Sequence, residues 1–432
     1  MEQTIFDLLY PPFKIKNKVR TIELFGGYGS QLMALKYLGV DVEQWKLCEW
    51  AVKSIQAYKD IHCENDNTDY SKDLSVEQIK EYLLEKGISS NYNEPMNKKQ
   101  IDRLKESQAR TIYNNIIATH NLVDIQQVKG ADLEIVDQEH ITYLLTYSFP
   151  CQDLSLAGKR QLMADTSTRS GLLWEVERIL DECKELGTLP QVLLMENVIQ
   201  VHGEGAVQDF NRWQQKLEEL GYKNYWQDMI ATDYGIPQTR NRCFMVSILG
   251  NYSYKFPKPI PLKLKLKDML EDNVDEKYYL SEKMLKGMIN TNFESYKLEN
   301  RLQDVNGTID TLLTSSGKKC PHCIAINNNN NKGYALATDG DGIDISSRMK
   351  WHRGTVQKEK AQTITTQCDN GVLENTRIRR LTCKESLRLM GLKDEDIDKM
   401  AKNQSDSSLY HLAGDSIVIQ CLEAIFRRFY EV

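Results

Sequence analysis

The stretch Val19–Leu38, VRTIELFGGYGSQLMALKYL, restricts the fold more than any other part of the chain. It reads as an apolar strand, a glycine-rich turn and an amphipathic helix closed by Gly39. This sequence opens a nucleotide-binding α/β unit, because glycines let a backbone approach a ligand and the helix N-terminus favours polar or anionic groups. The turn Gly26-Gly27-Tyr28-Gly29 does not match GxGxxG, so it does not by itself point to a dinucleotide. Val42–Trp50 reads as a second strand carrying Glu49 near its end. A carboxylate about 20 residues beyond the glycine turn is placed to hold ribose hydroxyls. Taken alone, Glu49 could equally be a solvated helix cap.

The alternation then continues. Leu122–Ile125, Tyr143–Phe149, Val192–Met195 and Arg242–Ile248 are strand candidates, with helices at Gly171–Lys184 and Val207–Leu220. Strands alternating with helices argue a mostly parallel sheet covered on both faces. Between them, residues 62–120 are rich in Lys, Glu, Asn and Asp and carry helical patterns at Val76–Lys86 and Lys98–Ala118. This segment reads as a surface helical hairpin inserted into the α/β unit. Residues 250–375 change style, with prolines, a Leu-Lys alternation, an asparagine run and short β-rich pieces, the last at Lys358–Thr366 and Val372-Leu373. They form a second, irregular β-rich region. From Arg377 regular helices return at Leu381–Met390 and Asp415–Tyr430.

At 432 residues the chain suits two domains, or one large domain with an insertion. No apolar run approaches the roughly 18 residues of a membrane span, and the N-terminus lacks the pattern of a secretion signal. Ten scattered cysteines suit free thiols in a reducing, cytoplasmic compartment. Cys320-Pro321-His322-Cys323 is half of a zinc knuckle, but no second CxxC completes it, so no metal is expected. The net charge of −6 argues against a wholly basic surface, not against nucleic acid on one face.

Chemistry concentrates in polar residues placed immediately beyond predicted strands. Pro150-Cys151-Gln152 follows a buried apolar run, Glu196-Asn197 lies at the end of Val192–Met195, and Gln238-Thr239-Arg240-Asn241-Arg242 adjoins the strand Arg242–Ile248. Ligands of open α/β sheets bind at the carboxyl ends of strands, so these groups can share one cleft with the glycine turn. A thiolate activated by nearby arginine is a nucleophile. A buried carboxyl group with a raised pKa can hand a proton to a ring nitrogen. Each has a plainer alternative: Cys151 as core filling, Glu196 as a cap, the arginines as partners of surface acids.

The motifs closely resemble those of the DNA cytosine-5 methyltransferases. IELFGGYG, Glu49-Trp50, Asp124-Ile125, SFPCQDLS, MENV, DYGIPQTRNRCFMV, RRLTCKESLRLMGL and AGDSIVIQCLEAI occur in that family's order. TYSFPCQDLS, TRSGLLWEVER and LLMENV also resemble the mycoplasma-type enzymes that modify CG. Two positions depart from the common pattern, Glu23 and Asp415, where Asp and Asn are usual.

The resemblance implies a Rossmann-like α/β sheet of the S-adenosylmethionine-dependent methyltransferases with a smaller, β-rich target-recognition domain. Residues 1–249 would form the catalytic and cofactor-binding domain, 250–375 the recognition domain, and 376–432 a segment returning to complete the first. Cys151 would add to carbon 6 of a flipped-out cytosine in duplex DNA, since carbon 5 is inaccessible inside the helix. Glu196 would meet the ring nitrogen 3 edge, Arg240 the ring oxygen, and Arg242 would position the site. S-adenosylmethionine would be lined by Phe25, Gly27, Glu49, Trp50, Asp124, Ile125, Pro150, Leu172 and Ser416. In the basic stretch Ser346–Gln362, Arg348, Lys350 and Arg353 would meet DNA, together with Thr363. A monomer protecting DNA from a separate cognate restriction nuclease is the implied setting. Methylation of transfer RNA and non-catalytic DNA binding are the alternatives.

Overall fold

The protein is described from a computed structural model covering residues 10–150, 169–288, 324–346, 353–375 and 377–430. In chain order, β1 (Lys18–Leu24), α1 (Ser30–Tyr37), β2 (Val42–Cys48) and α2 (Val52–His62) build the opening unit. The inserted segment carries α3 (Val76–Lys86), α4 (Lys98–Asp102) and α5 (Glu106–Ala118). Then follow β3 (Ile141–Tyr147), α6 (Leu173–Leu186), β4 (Val192–Val198), α7 (Val207–Glu219), β5 (Tyr222–Ile230) and β6 (Asn241–Leu249). The next region holds α8 (Glu282–Met288) and the short strands β7 (Ile324–Asn327), β8 (Tyr334–Ala337), β9 (Gly342–Asp344), β10 (Val356–Gln357), β11 (Asn370–Glu374) and β12 (Arg377–Arg380). The chain closes with α9 (Cys383–Arg388), α10 (Asp394–Ala401), α11 (Asp406–Asp415) and α12 (Ile419–Arg427).

Six strands form the main sheet in the order β2-β1-β3-β4-β6-β5. β2, β1, β3 and β4 pair in parallel, and β6 runs antiparallel to both β4 and β5. The strand order reverses between β1 and β3, and a crevice at such a switch point is where open α/β sheets bind ligands.

Alternating side chains feed two cores, as the period of a strand requires. Leu144, Val192, Leu194 and Val246 face one side, packed with Met33 and Leu35 of α1 and Leu422, Ile425 and Phe426 of α12. Tyr143, Leu145, Leu193, Met195 and Met245 face the other, under Val176 and Leu180 of α6 and Phe210 and Trp213 of α7. At about 1.5–3 kcal/mol per fully buried large apolar side chain, this two-sided burial dominates the stability of the sheet. α12 packs against α1, so the last helix closes on the first. The apolar span Asp406–Arg427, 22 residues long, belongs to this packing and is 67% buried in its most apolar window. It is a core element, broken at Ser416–Val418 between α11 and α12.

Several sequence expectations change. Leu122–Ile125 is not a strand: Leu122 donates one backbone bond to Leu47, then Val123 turns the chain at φ 70°. β5 was absent from the expected strands because its half-exposed residues, YKNYWQDMI, lack a clear apolar face. The inserted segment is not a plain hairpin. Its second helical pattern breaks at Arg103–Lys105 into α4 and α5, and its helices enclose a core of their own. Ile79, Leu83, Ile101, Ile112 and Ile116 pack there with Ile55 of α2.

In the β-rich region, β10-β9-β11-β12 form an antiparallel sheet and β7-β8 a hairpin. Lys358–Thr366 is not a strand but a loop, bridged to the main domain by Ala361 and Gln238. β12 continues the small sheet past residue 376, where regular helices were expected to resume. Arg379 on β12 is fully buried and ties this sheet to α9. Its guanidinium donates to Glu385 at 2.8 and 2.9 Å and to Glu374 at 2.6 Å.

Candidate active site and cofactor pocket

The glycine turn after β1 is conformationally demanding. Phe25, Gly27 and Gly29 have φ of 57°, 55° and 82°. A Cβ on Gly29 would sit 2.5 Å from His62 Nε2, whereas one on Gly27 would meet nothing within 4 Å. The two glycines therefore differ: Gly29 is needed for packing, and Gly27 leaves open space on its ligand side. His62 braces the turn from outside. Its Nε2 faces the carbonyls of Tyr28 and Gly29 at 3.0 and 3.1 Å, so that nitrogen carries the proton. Nδ1 then accepts from the Lys36 ammonium at 3.2 Å. Burial and the adjacent Lys36 charge push the imidazole down to about 3 and keep it neutral.

Glu49 closes the other side of the turn. Its carboxylate accepts from the Gly27 N–H at 3.0 Å and the Ala51 N–H at 2.7 Å. Burial pushes this carboxyl up to about 7, opposed by those two bonds and reinforced by the nearby Asp415 charge. Asn121 fixes Glu49 from behind, accepting from its N–H at 3.0 Å and donating to its carbonyl at 2.9 Å. Nothing in the sequence pattern singled out Asn121. Glu23 lies beneath the turn, fully buried, accepting from Tyr58 Oη at 2.6 Å and Leu32 N at 3.1 Å; burial pushes it up to about 7.

A cavity opens against this turn. Phe25, Gly27 and Ser416 line it, with Ser30, Ser54, Tyr92, His411 and Asp415 around them. Phe25, Gly27 and Ser416 share this cavity, and Glu49 adjoins it through its bond to the Gly27 N–H. Trp50 packs against the core of the inserted helices. Asp124 caps its own turn by accepting from Gln126 N at 3.0 Å, and Ile125 and Leu172 pack in or against the core under α6. Pro150 stands half-buried at the end of the described stretch after β3.

Of the catalytic candidates, Glu196 and Arg242 meet at the carboxyl end of β4. Cys151 itself lies outside the described residues, as do Arg348, Lys350 and the pair Cys320 and Cys323. The approach to Cys151 is fixed by Asn197, whose side-chain amide donates to the Phe149 carbonyl at 3.0 Å. Glu196 is buried, and burial raises its pKa against the opposing charges of Arg242 and Arg240. The QTRNR stretch reaches this end because β6 is antiparallel: Val198 pairs with Arg242 and Glu196 with Phe244. Gln238, Thr239 and Arg240 precede β6 and Asn241 and Arg242 open it, whereas the sequence reading set the stretch beyond a strand.

The two arginines part company. Arg242 Nε stands 3.2 Å from Glu196 Oε1. Arg240 is turned away into the fold, donating to the carbonyls of Ile364 at 3.0 Å, Gly414 at 3.0 Å and Ser416 at 2.7 Å. Gln238, also fully buried, donates to the Leu389 carbonyl at 2.7 Å and accepts from Ile364 N at 3.0 Å. Thr363 donates to the Thr239 carbonyl at 3.3 Å, inside this junction, while Arg353 is exposed and donates to the Asn329 carbonyl at 3.0 Å. Among the described residues His202, Asp228 and Cys243 come within 4.8 Å of one another. His202 is already bonded to the Asp228 carboxylate at 2.9 and 3.1 Å, and burial raises the Cys243 pKa, so this is a hydrogen-bonded pair beside a neutral thiol.

A parallel sheet with a reversed strand near its edge, a glycine turn facing a carboxylate, and a buried glutamate–arginine pair define a Rossmann-like methyltransferase. The match to known proteins is specific. Residues 86–431 fit the family model of the C-5 cytosine-specific DNA methylases, and the chain belongs to that family. It is 31% identical over 420 residues to the Type II methyltransferase M2.ScrFI of Lactococcus lactis subsp. cremoris, spanning 96% of this chain and 99% of the relative. It is 30% identical over 426 residues to the orphan methyltransferase M.SssI of Spiroplasma monobiae, spanning 95% and 98%. The fold is similar to that of the S. pombe Dnmt2 methyltransferase, with a TM-score of 0.52 at 15% identity over 95% of this chain and 98% of the other.

The protein is an S-adenosylmethionine-dependent DNA (cytosine-5)-methyltransferase. The residues present suit that cofactor: an open glycine turn, a carboxylate preset by two main-chain N–H groups, and aromatic and hydroxyl side chains around one cavity.

Proposed function

We propose that the enzyme methylates carbon 5 of a cytosine flipped out of a short duplex DNA sequence, through a covalent adduct on Cys151. The observation that carries the reading is Glu196: a buried carboxyl with a raised pKa, 3.2 Å from Arg242, at the strand end beside the anchored Phe149 carbonyl. Cys151 as thiolate forms a bond to carbon 6, and the carbon 5–carbon 6 π electrons shift onto carbon 5. Glu196, whose pKa burial raises, donates to ring nitrogen 3 and offsets the charge that builds up there. S-adenosylmethionine, when bound, supplies the electrophilic methyl group. Loss of the carbon 5 proton to a base then expels Cys151 and restores the aromatic ring.

We assign the arginines in the opposite sense from the sequence expectation. Arg242, beside Glu196, faces the cytosine ring oxygen. Arg240, engaged by three carbonyls, positions the junction between the cofactor wall and the β-rich region. Phe25, Gly27, Glu49 and Ser416 hold the cofactor, with Glu49 on its ribose hydroxyls. Residues 1–249 with 376–432 serve catalysis and cofactor binding. Residues 250–375 serve target recognition, with Arg353 and Thr363 at the DNA. The enzyme acts as a monomer in a bacterial or phage-infected cytoplasm, protecting DNA from a separate nuclease.

Transfer of tritiated methyl groups from the cofactor to duplex DNA and to transfer RNA tests the substrate. Label is expected in DNA alone, and label only in RNA overturns the reading. Cys151→Ser is expected to bind DNA without methylating it; full activity in that variant overturns the covalent step.

A further inference from the structure

The inserted helical segment reaches the cofactor cavity through one residue. After α3, the chain folds back beside the end of β2: Ser89 N donates to the Trp50 carbonyl at 2.8 Å, and Val52 N to the Ser89 carbonyl at 2.9 Å. The loop is closed at its base by Met96 N on the Ile88 carbonyl at 2.8 Å. Within it Asn91 Oδ1 accepts from Asn93 N at 3.0 Å and Glu94 N at 3.2 Å. These bonds project Tyr92 at φ 62°, a left-handed backbone for a bulky residue. Its ring lies 3.9 Å from the His411 imidazole, centroid to centroid, at an interplanar angle of 35°. His411 stands on α11, one turn before Asp415, with Nε2 3.0 Å from the Asp415 carboxylate.

Tyr92 and His411 both line the cavity beside Phe25, Gly27 and Ser416. The Tyr92 hydroxyl is buried next to the Ser54 and Ser408 hydroxyls and makes no well-formed hydrogen bond. The cavity measures about 30 Å³. Sites for ligands of the cofactor's size run to roughly 300–1,000 Å³. The floor, made by the glycine turn, the start of α1, Ser54 of α2 and Ser148 after β3, rests on the main sheet. The parts that meet across the top are a loop of the insertion and a helix of the C-terminal segment, joined by the Tyr92–His411 contact.

We propose that Tyr92 is a gating residue of the S-adenosylmethionine pocket. Its contact with His411 parts to admit the cofactor and then reforms as the outer wall. The insertion thereby controls the rate at which cofactor enters and product leaves. The inference rests on the assignment of this cavity as the cofactor pocket.

The test measures binding of S-adenosylmethionine and S-adenosylhomocysteine to the full chain without DNA, by stopped-flow tryptophan fluorescence with Trp50 close to the site. Tyr92→Ala is expected to raise both association and dissociation rate constants, each by about fivefold or more, as removal of a gate does. His411→Ala, approaching from the other side, is expected to do the same, and Tyr92→Phe, which keeps the ring contact, to stay within about twofold of the parent. Rates within about twofold of the parent in both alanine variants overturn the gate. Glu49→Gln separates the two readings: it is expected to weaken binding. Unchanged affinity in that variant tells against the pocket assignment, whereas weakened affinity with unchanged rates in Tyr92→Ala tells against the gate alone.

Discussion

Arg240 and Arg242 are two residues apart in QTRNR, yet the structure predicts opposite consequences for replacing them. Arg240→Met removes the donors of three hydrogen bonds, two buried and one part-buried, to the carbonyls of Ile364, Ser416 and Gly414 respectively. A bond from a charged donor contributes roughly 1.5–3 kcal/mol. The three are not additive, and local relaxation lets water reach some of the carbonyls, so the expected loss is about 3–5 kcal/mol. With an unfolding entropy of roughly 2.1 cal/mol/K per residue over 432 residues, that lowers the unfolding midpoint by about 3–6 °C. Because Gly414 and Ser416 precede α12 and Ser416 lines the cavity proposed for the cofactor, cofactor affinity is expected to fall as well. Arg242→Met removes the ion pair at 3.2 Å to Glu196 and one bond to the neighbouring Asn241 carbonyl at 2.8 Å. Glu196 can answer the loss by taking up a proton, because burial already raises its pKa, so the stability loss is expected to stay below that of Arg240→Met, and the single-turnover methylation rate is expected to drop by about 100-fold or more. Differential scanning calorimetry with and without cofactor, and single-turnover methyl transfer, separate the two effects. An Arg240→Met midpoint within about 1 °C of the parent, or an Arg242→Met variant that loses stability and keeps its rate, refutes the assignment.

Other outcomes follow from the same geometry. Glu23 is pushed up to about 7 by burial, against a usual 4.5, so it binds its proton more tightly in the folded protein. Its contribution to stability is full below about 4.5 and is lost as pH rises to about 7, a difference of about 3 kcal/mol. Glu23→Gln is therefore expected to unfold at a higher temperature than the parent at pH 8 and at a similar one near pH 4; an equal gap at both contradicts this. Gly29→Ala forces a Cβ to 2.5 Å from His62 and a left-handed alanine, costing roughly 2–5 kcal/mol of stability. Gly27→Ala has room and costs about 1 kcal/mol, but its Cβ sits at the cofactor cavity, so calorimetric titration should show it losing cofactor affinity instead. Arg379→Met leaves Glu385 and Glu374 buried or part-buried without their partner and is expected to cost about 3–5 kcal/mol in urea unfolding. Pairing it with Glu385→Leu should recover only part of that, because Glu385 also accepts the Thr382 and Glu271 N–H groups.

The fold was legible where burial is two-sided. β3 and β4 carry side chains into both cores, so their largely apolar runs stood out, and β1 was marked by the glycine turn that follows it. β5 did not, because an edge strand with one wet face has no such run. Leu122–Ile125 misled for the reverse reason. Its apolar residues are buried or half-buried, yet they fill a turn pinned to β2 by Asn121. The helices of the insertion were visible from their periodicity, and their capping boxes at Ser75 and Asn97 lie where the sequence put the helix starts. Their private core was hidden, since mixed charge on one face says nothing about what the other face meets.

At the site, sequence spacing carried the residues that point at a ligand and missed those that hold them. Glu49 and Glu196 declare themselves by standing at strand ends. Asn121, Asn197 and Gln238 make side-chain bonds to main-chain groups up to about 150 residues away, and any amide at those positions looks alike in a sequence. Arg240 shows the limit most sharply. In QTRNR both arginines are equally eligible to face a substrate. Only the fold separates them: Arg242 lies inside β6, paired with Val198 and beside Glu196, whereas Arg240 lies just before the strand and is buried among three carbonyls. Two of those carbonyls belong to the cofactor-side segment and one to the loop entering the small sheet. The residue that the motif offers as a substrate contact thus acts as the fastening between the pocket and the β-rich region. Its replacement is expected to disturb both at once, a pattern that a residue touching only substrate does not produce.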